Sequence, residues 1–336
     1  MFEVLEHCDP HDLARSAQVH QVHTMVGCVF ERHPDLAGAI PRDLGVYFRA
    51  MYHANQDRLA EGRAQLTSIA QAMSQAEVSL LAMKGGGDML DPLHNDPAMR
   101  FVADFDILVP IDALDRAEQA LLQHFDADQP GAKLAAGSNL NWRGEPVPEH
   151  HLPKFVSQTW TFPVELHMRV GSGIVPQLLP ETDVLRRGVP TQIDGISVMG
   201  AEDRACHLIA HAAYHGHAVS LRAWVDWVQL RKRCDEASVR RRLAAFDLDR
   251  TLDEYNAVAA FFDGREDASE ANAERLVQAF RNLAEHSRKS RPSRRQLVRR
   301  RLQMLFVSQR YRHHLASNAQ RMSWWKWLFG RLRGRS

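Results

Sequence analysis

Cysteine is scarce in this 336-residue chain. Cys8, Cys28, Cys206 and Cys234 are scattered, with no C-x-x-C spacing. That argues against a disulfide framework or a cysteine zinc site and suits reduced thiols in the cytosol. Long apolar runs are missing as well, so no stretch approaches the roughly 20 residues of a membrane span. The opening MFEVLEHCDPHD lacks a basic n-region and an apolar h-region, so no signal peptide is expected and the expected location is cytoplasmic. No internal repeat of fixed period is visible, which argues against a solenoid.

Acidic residues disappear towards the end. Positions 287–336 hold 15 Lys/Arg and no Asp or Glu, which leaves 27 basic against 41 acidic residues in 1–286. The net charge of +1 therefore hides an acidic body and a basic tail. The tail ends in SWWKWLFGRLRGRS, which mixes tryptophan, leucine and arginine. Such a segment suits an anionic membrane surface, peripheral on the inner face. It equally suits a helix whose aromatics pack back on the acidic body. Nucleic acid is the weaker option, because no recognised module accompanies the basic residues.

What is present has an order. Residues 1–76 carry helical spacing, punctuated by His33-Pro34 and Ile40-Pro41, and 44–75 reads as one long helix. From 77 to 200 the texture is mixed. A short apolar strand, 78–83, leads to a tight turn at Lys84-Gly85-Gly86-Gly87 and a short helix over 88–94. A strand follows at 104–109, and Pro110 opens an amphipathic helix to about His124. Residues 149–156 and 161–168 read as two strands, and 186–198 as extended with a hairpin turn. Positions 201–290 are helical again, with helices at 201–216, 221–233, 237–246, 252–262 and 271–288. A basic tail occupies 291–336.

Asp104-Phe105-Asp106 is the most informative stretch. Residues i and i+2 of a strand share a face, so the two carboxylates converge while Phe105 points away. Convergent carboxylates suit a divalent cation such as Mg²⁺ held against phosphates. In Val164-Glu165-Leu166-His167, Glu165 and His167 share a face. If that strand lies beside the Asp104 strand, Glu165 completes a three-carboxylate cluster or acts as general base. Lys84 and the glycines Gly85, Gly86 and Gly87 have the chemistry of a phosphate cradle, since glycine lets backbone N–H groups approach closely. Arg100, four residues before Asp104, can meet a phosphate or pair with an aspartate.

These motifs together, L-x-x-K-G-G-G, R-x-x-x-D-x-D-I-L-V, H-H-L-P and V-E-L-H, resemble the uncharacterised nucleotidyltransferase family of the polymerase-β-like superfamily. The likeness covers roughly residues 10–260 and extends to L-x-x-H-x-x-x-H-G (208–216) and L-R-x-W-x-D (221–226). It implies an α+β fold: a small mixed β-sheet flanked by N-terminal and C-terminal helices. It also implies Mg²⁺-dependent transfer of a nucleoside monophosphate from ATP or another NTP. Asp104, Asp106 and Glu165 would then be the metal ligands, and Gly85 and Gly86 the phosphate turn. The superfamily turn is often Gly-Ser, so backbone amides must carry that contact here. The acceptor does not follow; small molecule, saccharide, lipid and peptide all remain open.

The histidines divide. His150 and His151 are candidates for lining the nucleotide or acceptor site, as is His167. His207, His211 and His215 fall on one helical stripe. A zinc hydrolase built on them lacks the Glu that follows the first His in the metalloprotease pattern. Packing between helices is the plainer reading, and the resemblance adds a substrate-lining role for His211 and His215. Trp224 and Trp227, at helical spacing, read as core. A non-catalytic nucleotide sensor or scaffold on the same fold is the alternative to an enzyme.

Overall fold

The computed structural model describes residues 9–125, 150–152, 154–214 and 220–262. The 129–142 segment, His215, the 271–288 helix and the 287–336 tail lie outside the described residues. Four helices come first: Pro10–Val19, His23–Arg32, Pro34–Gly38 and Arg42–Gln75. Asp9 caps the first by accepting hydrogen bonds from the N–H groups of His11 and Asp12, with Pro10 in the first turn. The fourth is the long helix expected from the unbroken periodicity.

Five strands form one mixed sheet in the order β3-β2-β1-β5-β4. They are β1 Leu80–Met83, β2 Phe105–Leu108, β3 Val164–His167, β4 Val189–Pro190 and β5 Ile196–Val198. β1 is antiparallel to β2 and parallel to β5, while β2 and β3 run parallel. The α+β reading with a small mixed sheet holds.

Alternation along the strands decides which side the site is on. Leu80, Ala82, Phe105, Ile107, Val164 and Leu166 pack with the long helix and with the helix Leu114–Phe125. Leu81, Met83 and Leu108 face the other way, into a cluster with Cys206, Trp227, Leu243 and Tyr255 from the C-terminal helices. Those helices are Ala201–Tyr214, Leu221–Leu230, Glu236–Ala244 and Asp249–Phe262. By the same alternation Asp106, Glu165 and His167 sit on this second side.

The long helix also fixes the chain's approach to β3. Gln65 Nε2 donates to the Phe162 carbonyl at 2.7 Å, and the Phe162 N–H donates back to Gln65 Oε1 at 3.1 Å. The Phe162 ring stacks on Phe105 with centroids 4.5 Å apart. A Cβ on Gly62 would lie 2.6 Å from that ring, so only glycine lets the helix come this close.

Three local expectations need correction. Among its described residues the 149–156 segment forms isolated bridges in place of a continuous strand, with His151 opposite His167 and Phe155 opposite Val164 alongside β3. The tight turn at Lys84–Gly87 is the first turn of a helix, Lys84–Leu90, which replaces the helix read over 88–94. Within 186–198, extended structure is limited to the β4–β5 hairpin, which turns at Gly195 with φ +83°, and the helix Glu181–Arg186 precedes it.

Candidate active site

β2 and β3 are in register with Asp106 opposite Glu165. Neighbours across a parallel pair point to the same side, so the two carboxylates stand together, both buried. His167, two residues on, brings its ring to the same point. Its Nε2 lies 2.9 Å from Asp106 Oδ1 and 3.4 Å from Glu165 Oε2. Its Nδ1 is 3.3 Å from the Arg169 carbonyl, which can only accept, so Nδ1 carries a proton. The buried Nε2 makes no aligned hydrogen bond despite its two close carboxylates.

Two lysines close the cluster. Lys84 Nζ donates to Asp106 Oδ1 at 2.6 Å. Lys154 Nζ lies 3.0 Å from Glu165 Oε1 and also pairs with Asp104. Asp104 stands one residue before β2 and joins the cluster through Lys154. His151 reaches Glu165 at 3.9 Å, and His150 stacks edge-on against His151.

These contacts set the charges. Burial alone would raise the Asp106 carboxyl, but Lys84 and His167 outweigh it and hold it far below the usual range. Burial likewise opposes ionisation of Glu165, yet His167 and His151 bring it down to about 2. Burial disfavours the His167 imidazolium, and Asp106 with Glu165 more than restores it. His150 is pushed down to about 3 by burial and by His151 and His167, so it is neutral at pH 7.

The turn after β1 aims Lys84. Its φ is +43°, a left-handed conformation that costs a residue with a Cβ about 1–2 kcal/mol. Strain of this kind persists where the surroundings enforce it, often at functional sites. The glycines behind it let the helix lie against the sheet. A Cβ on Gly85 would be 2.7 Å from Val102, and one on Gly87 2.9 Å from the Ala82 carbonyl oxygen.

Arg100 is held elsewhere. It pairs with Asp88 at 2.8 Å and with Asp226 at 3.0 Å. Arg204 pairs with Asp88 and with Asp91, the latter at 2.7 Å, and His94 meets Asp226 at 3.1 Å. This network ties the Lys84–Leu90 helix to the C-terminal helices. Between them lies a cavity of about 350 Å³, walled by Lys84, Gly87, Leu93, His207, Arg222 and Tyr255 among others. His211 also lines it.

One atom each from Asp106, Glu165 and His167 lies within 4.8 Å of the others. Two carboxylates and an imidazole whose far nitrogen is braced by a carbonyl fit a divalent cation. A profile of one protein family, described as uncharacterised nucleotidyltransferase, matches residues 6–262. The chain belongs to that family. No curated protein and no solved structure matches it significantly. The family's description points to nucleotidyl transfer, and the cluster of Asp106, Glu165 and His167 has the donor set of a metal site.

Relative to sequence expectation, the structure brings together Asp106, Glu165, Lys84, His151 and His167, and stations Asp104 at the rim. Lys154 was missed, although it directly follows the H-H-L-P motif. Arg222 and Asp226 were quoted only as motif positions. Tyr255 carries no local signal, because its place depends on how the last helix packs.

Proposed function

We propose that this nucleotidyltransferase-family protein moves a nucleoside monophosphate from ATP or another NTP to an acceptor with the help of Mg²⁺ or a similar divalent cation. The observation that carries the reading is the buried facing of Asp106 and Glu165 on parallel strands, with Lys84 delivered onto Asp106 by a strained turn. Asp106, Glu165 and His167 would hold the cation, with Asp104 beside them. Such a cation, when bound, neutralises triphosphate charge and acidifies the attacking hydroxyl. Lys84 and Lys154 bring ammonium groups for phosphate oxygens. The N–H groups of Gly85–Gly87 start a helix, where anions are favoured. A carboxyl held near 2 is a weak base at neutral pH, so Glu165 serves as a ligand and not as general base.

The test is transfer of label from α-labelled NTP with divalent cation, using cell extract as the source of acceptors. Wild type should label an acceptor. Asp106→Asn and Glu165→Gln should lose about 100-fold or more while remaining folded by circular dichroism. A second reading rests on the lysines, which already satisfy every carboxylate of the cluster without a metal. On that reading the chain is a nucleotide-binding scaffold. NTP binding with no transfer to any acceptor would establish it. We further place the protein in the cytoplasm, its 287–336 tail on an anionic membrane surface. Loss of anionic-liposome binding on deleting 323–336 tests this. No helix among the described residues is long and apolar enough to cross a membrane.

A further inference from the structure

The cavity beside Lys84 has a charge surplus. Around it, Asp88, Asp91 and Asp226 are matched by Arg100, Arg204 and Arg233, all joined in ion pairs. Arg222 stands apart. It lines the same cavity, it is half-buried, and its buried Nε has no hydrogen-bond partner among the described residues. Burial and the neighbouring Arg100 depress it to about 10, yet it remains charged at pH 7. A half-buried charge whose Nε finds no acceptor is stabilised when an opposite charge arrives.

Two more residues of the lining bury a polar atom that has no partner among the described residues: His207 Nε2 and Tyr255 Oη. Both residues are at least nine-tenths buried. Burial drives His207 well below its usual range, so it is a neutral imidazole. The rest of the wall is largely apolar, with Leu93, Leu208 and Leu230 among its members. An apolar cavity with a few convergent polar groups is the ordinary form of a small-molecule site, and about 350 Å³ falls within the usual range.

We propose that this cavity binds a small molecule through one anionic group, a carboxylate or a phosphate, on Arg222, with its apolar part against Leu93, Leu208 and Leu230. His207 and Tyr255 supply the neutral hydrogen bonds. A triphosphate is a poor match, because it brings several negative charges to one surplus cation and to the acidic Asp88 and Asp226. The ligand is therefore the acceptor, an assignment that rests on the nucleotidyl-transfer reading. Lys84 lines the cavity and also touches Asp106, so the two sites share a wall.

The experiment uses the full-length protein with phenyl phosphate and phenylacetate as anionic probes and MgATP as the nucleotide. Binding is read by titration calorimetry, and melting temperature is recorded without ligand. Arg222→Met should weaken at least one probe that wild type binds by about 10- to 100-fold, the loss of a charge-assisted hydrogen bond. It should leave MgATP affinity unchanged and should not lower the ligand-free melting temperature, because it removes an unpaired charge. Asp106→Asn should do the opposite, losing MgATP and keeping the probes. The proposal falls if wild type binds neither probe, or if Arg222→Met leaves both unchanged. It also falls if Arg222→Met weakens MgATP equally, which would make Arg222 a triphosphate residue. A lower ligand-free melting temperature for Arg222→Met would make Arg222 structural and overturn it too. If the probes bind through Arg222 while MgATP never binds wild type, the pocket stands and the nucleotidyl-transfer reading is overturned.

Discussion

Two charge networks lie on the same side of the sheet and are built differently. In the first, Asp104, Asp106 and Glu165 are held by lysines. In the second, Asp88, Asp91 and Asp226 are held by arginines. The lysine side chains are 32% and 43% exposed, whereas Arg100 and Arg204, the inner members of the second network, are 11% and 9% exposed and its outer Arg233 is 36% exposed. An ammonium on a flexible stem that already reaches water can leave its carboxylate. A buried guanidinium fork gripping two carboxylates cannot leave without unpairing both. The carboxylates with exchangeable partners are those available to a cation and a nucleotide, and the others are framework.

The sharpest break in this comparison is Asp226→Asn. It leaves buried Arg100 with Asp88 alone and takes the carboxylate from His94, and should cost about 3–5 kcal/mol in urea unfolding, as removal of one partner of a buried pair does. A loss under 1 kcal/mol would mean the arginine network is no more fixed than the lysine one. Glu165→Gln should cost less, about 1–3 kcal/mol at pH 7. The folded value of Glu165, about 2, lies below its unfolded value. Its contribution is therefore whole above about pH 4.3 and is lost as pH falls towards 2. The stability gap between wild type and Glu165→Gln should shrink over that window; a constant gap would show that Glu165 is not ionised against His167 and His151. Mn²⁺ added without nucleotide should raise the melting temperature of wild type and of Asp226→Asn, if the latter still folds, but not that of Glu165→Gln, because stabilisation follows binding to the folded state. Equal shifts in wild type and Glu165→Gln would place the cation elsewhere.

The division was half legible in the sequence. The period-2 pattern put Asp104 and Asp106 on one side and Phe105 on the other, and β3 does lie beside β2. The glycine run announced a special strand-to-helix connection, though it starts the helix at Lys84 instead of forming a separate turn. His167 was on the right face but was not read as a ligand, since its role depends on the brace from Arg169 across a bend. The arginine network could not be read at all. Arg100 meets Asp226 across 126 positions, and Arg204 meets Asp88 across 116. Such pairs are set by how the C-terminal helices dock, which no local pattern encodes.

The mildest test concerns Lys154. It bridges Asp104 and Glu165 from a segment whose described residues meet the sheet through isolated bridges, and it is 43% exposed. A pair this exposed contributes about 0–1 kcal/mol. Lys154→Gln should therefore leave urea unfolding nearly unchanged. If the lysine only stands in for a cation, the variant should bind Mn²⁺ alone at least as well as wild type, because one competing charge is gone. It should bind MgATP more weakly, because a phosphate partner is gone too. Opposite signs for metal and nucleotide are the signature of an exchangeable counter-ion. A Lys154→Gln protein that is strongly destabilised, or that changes neither affinity, would put Lys154 with the framework arginines and erase the distinction between the two networks.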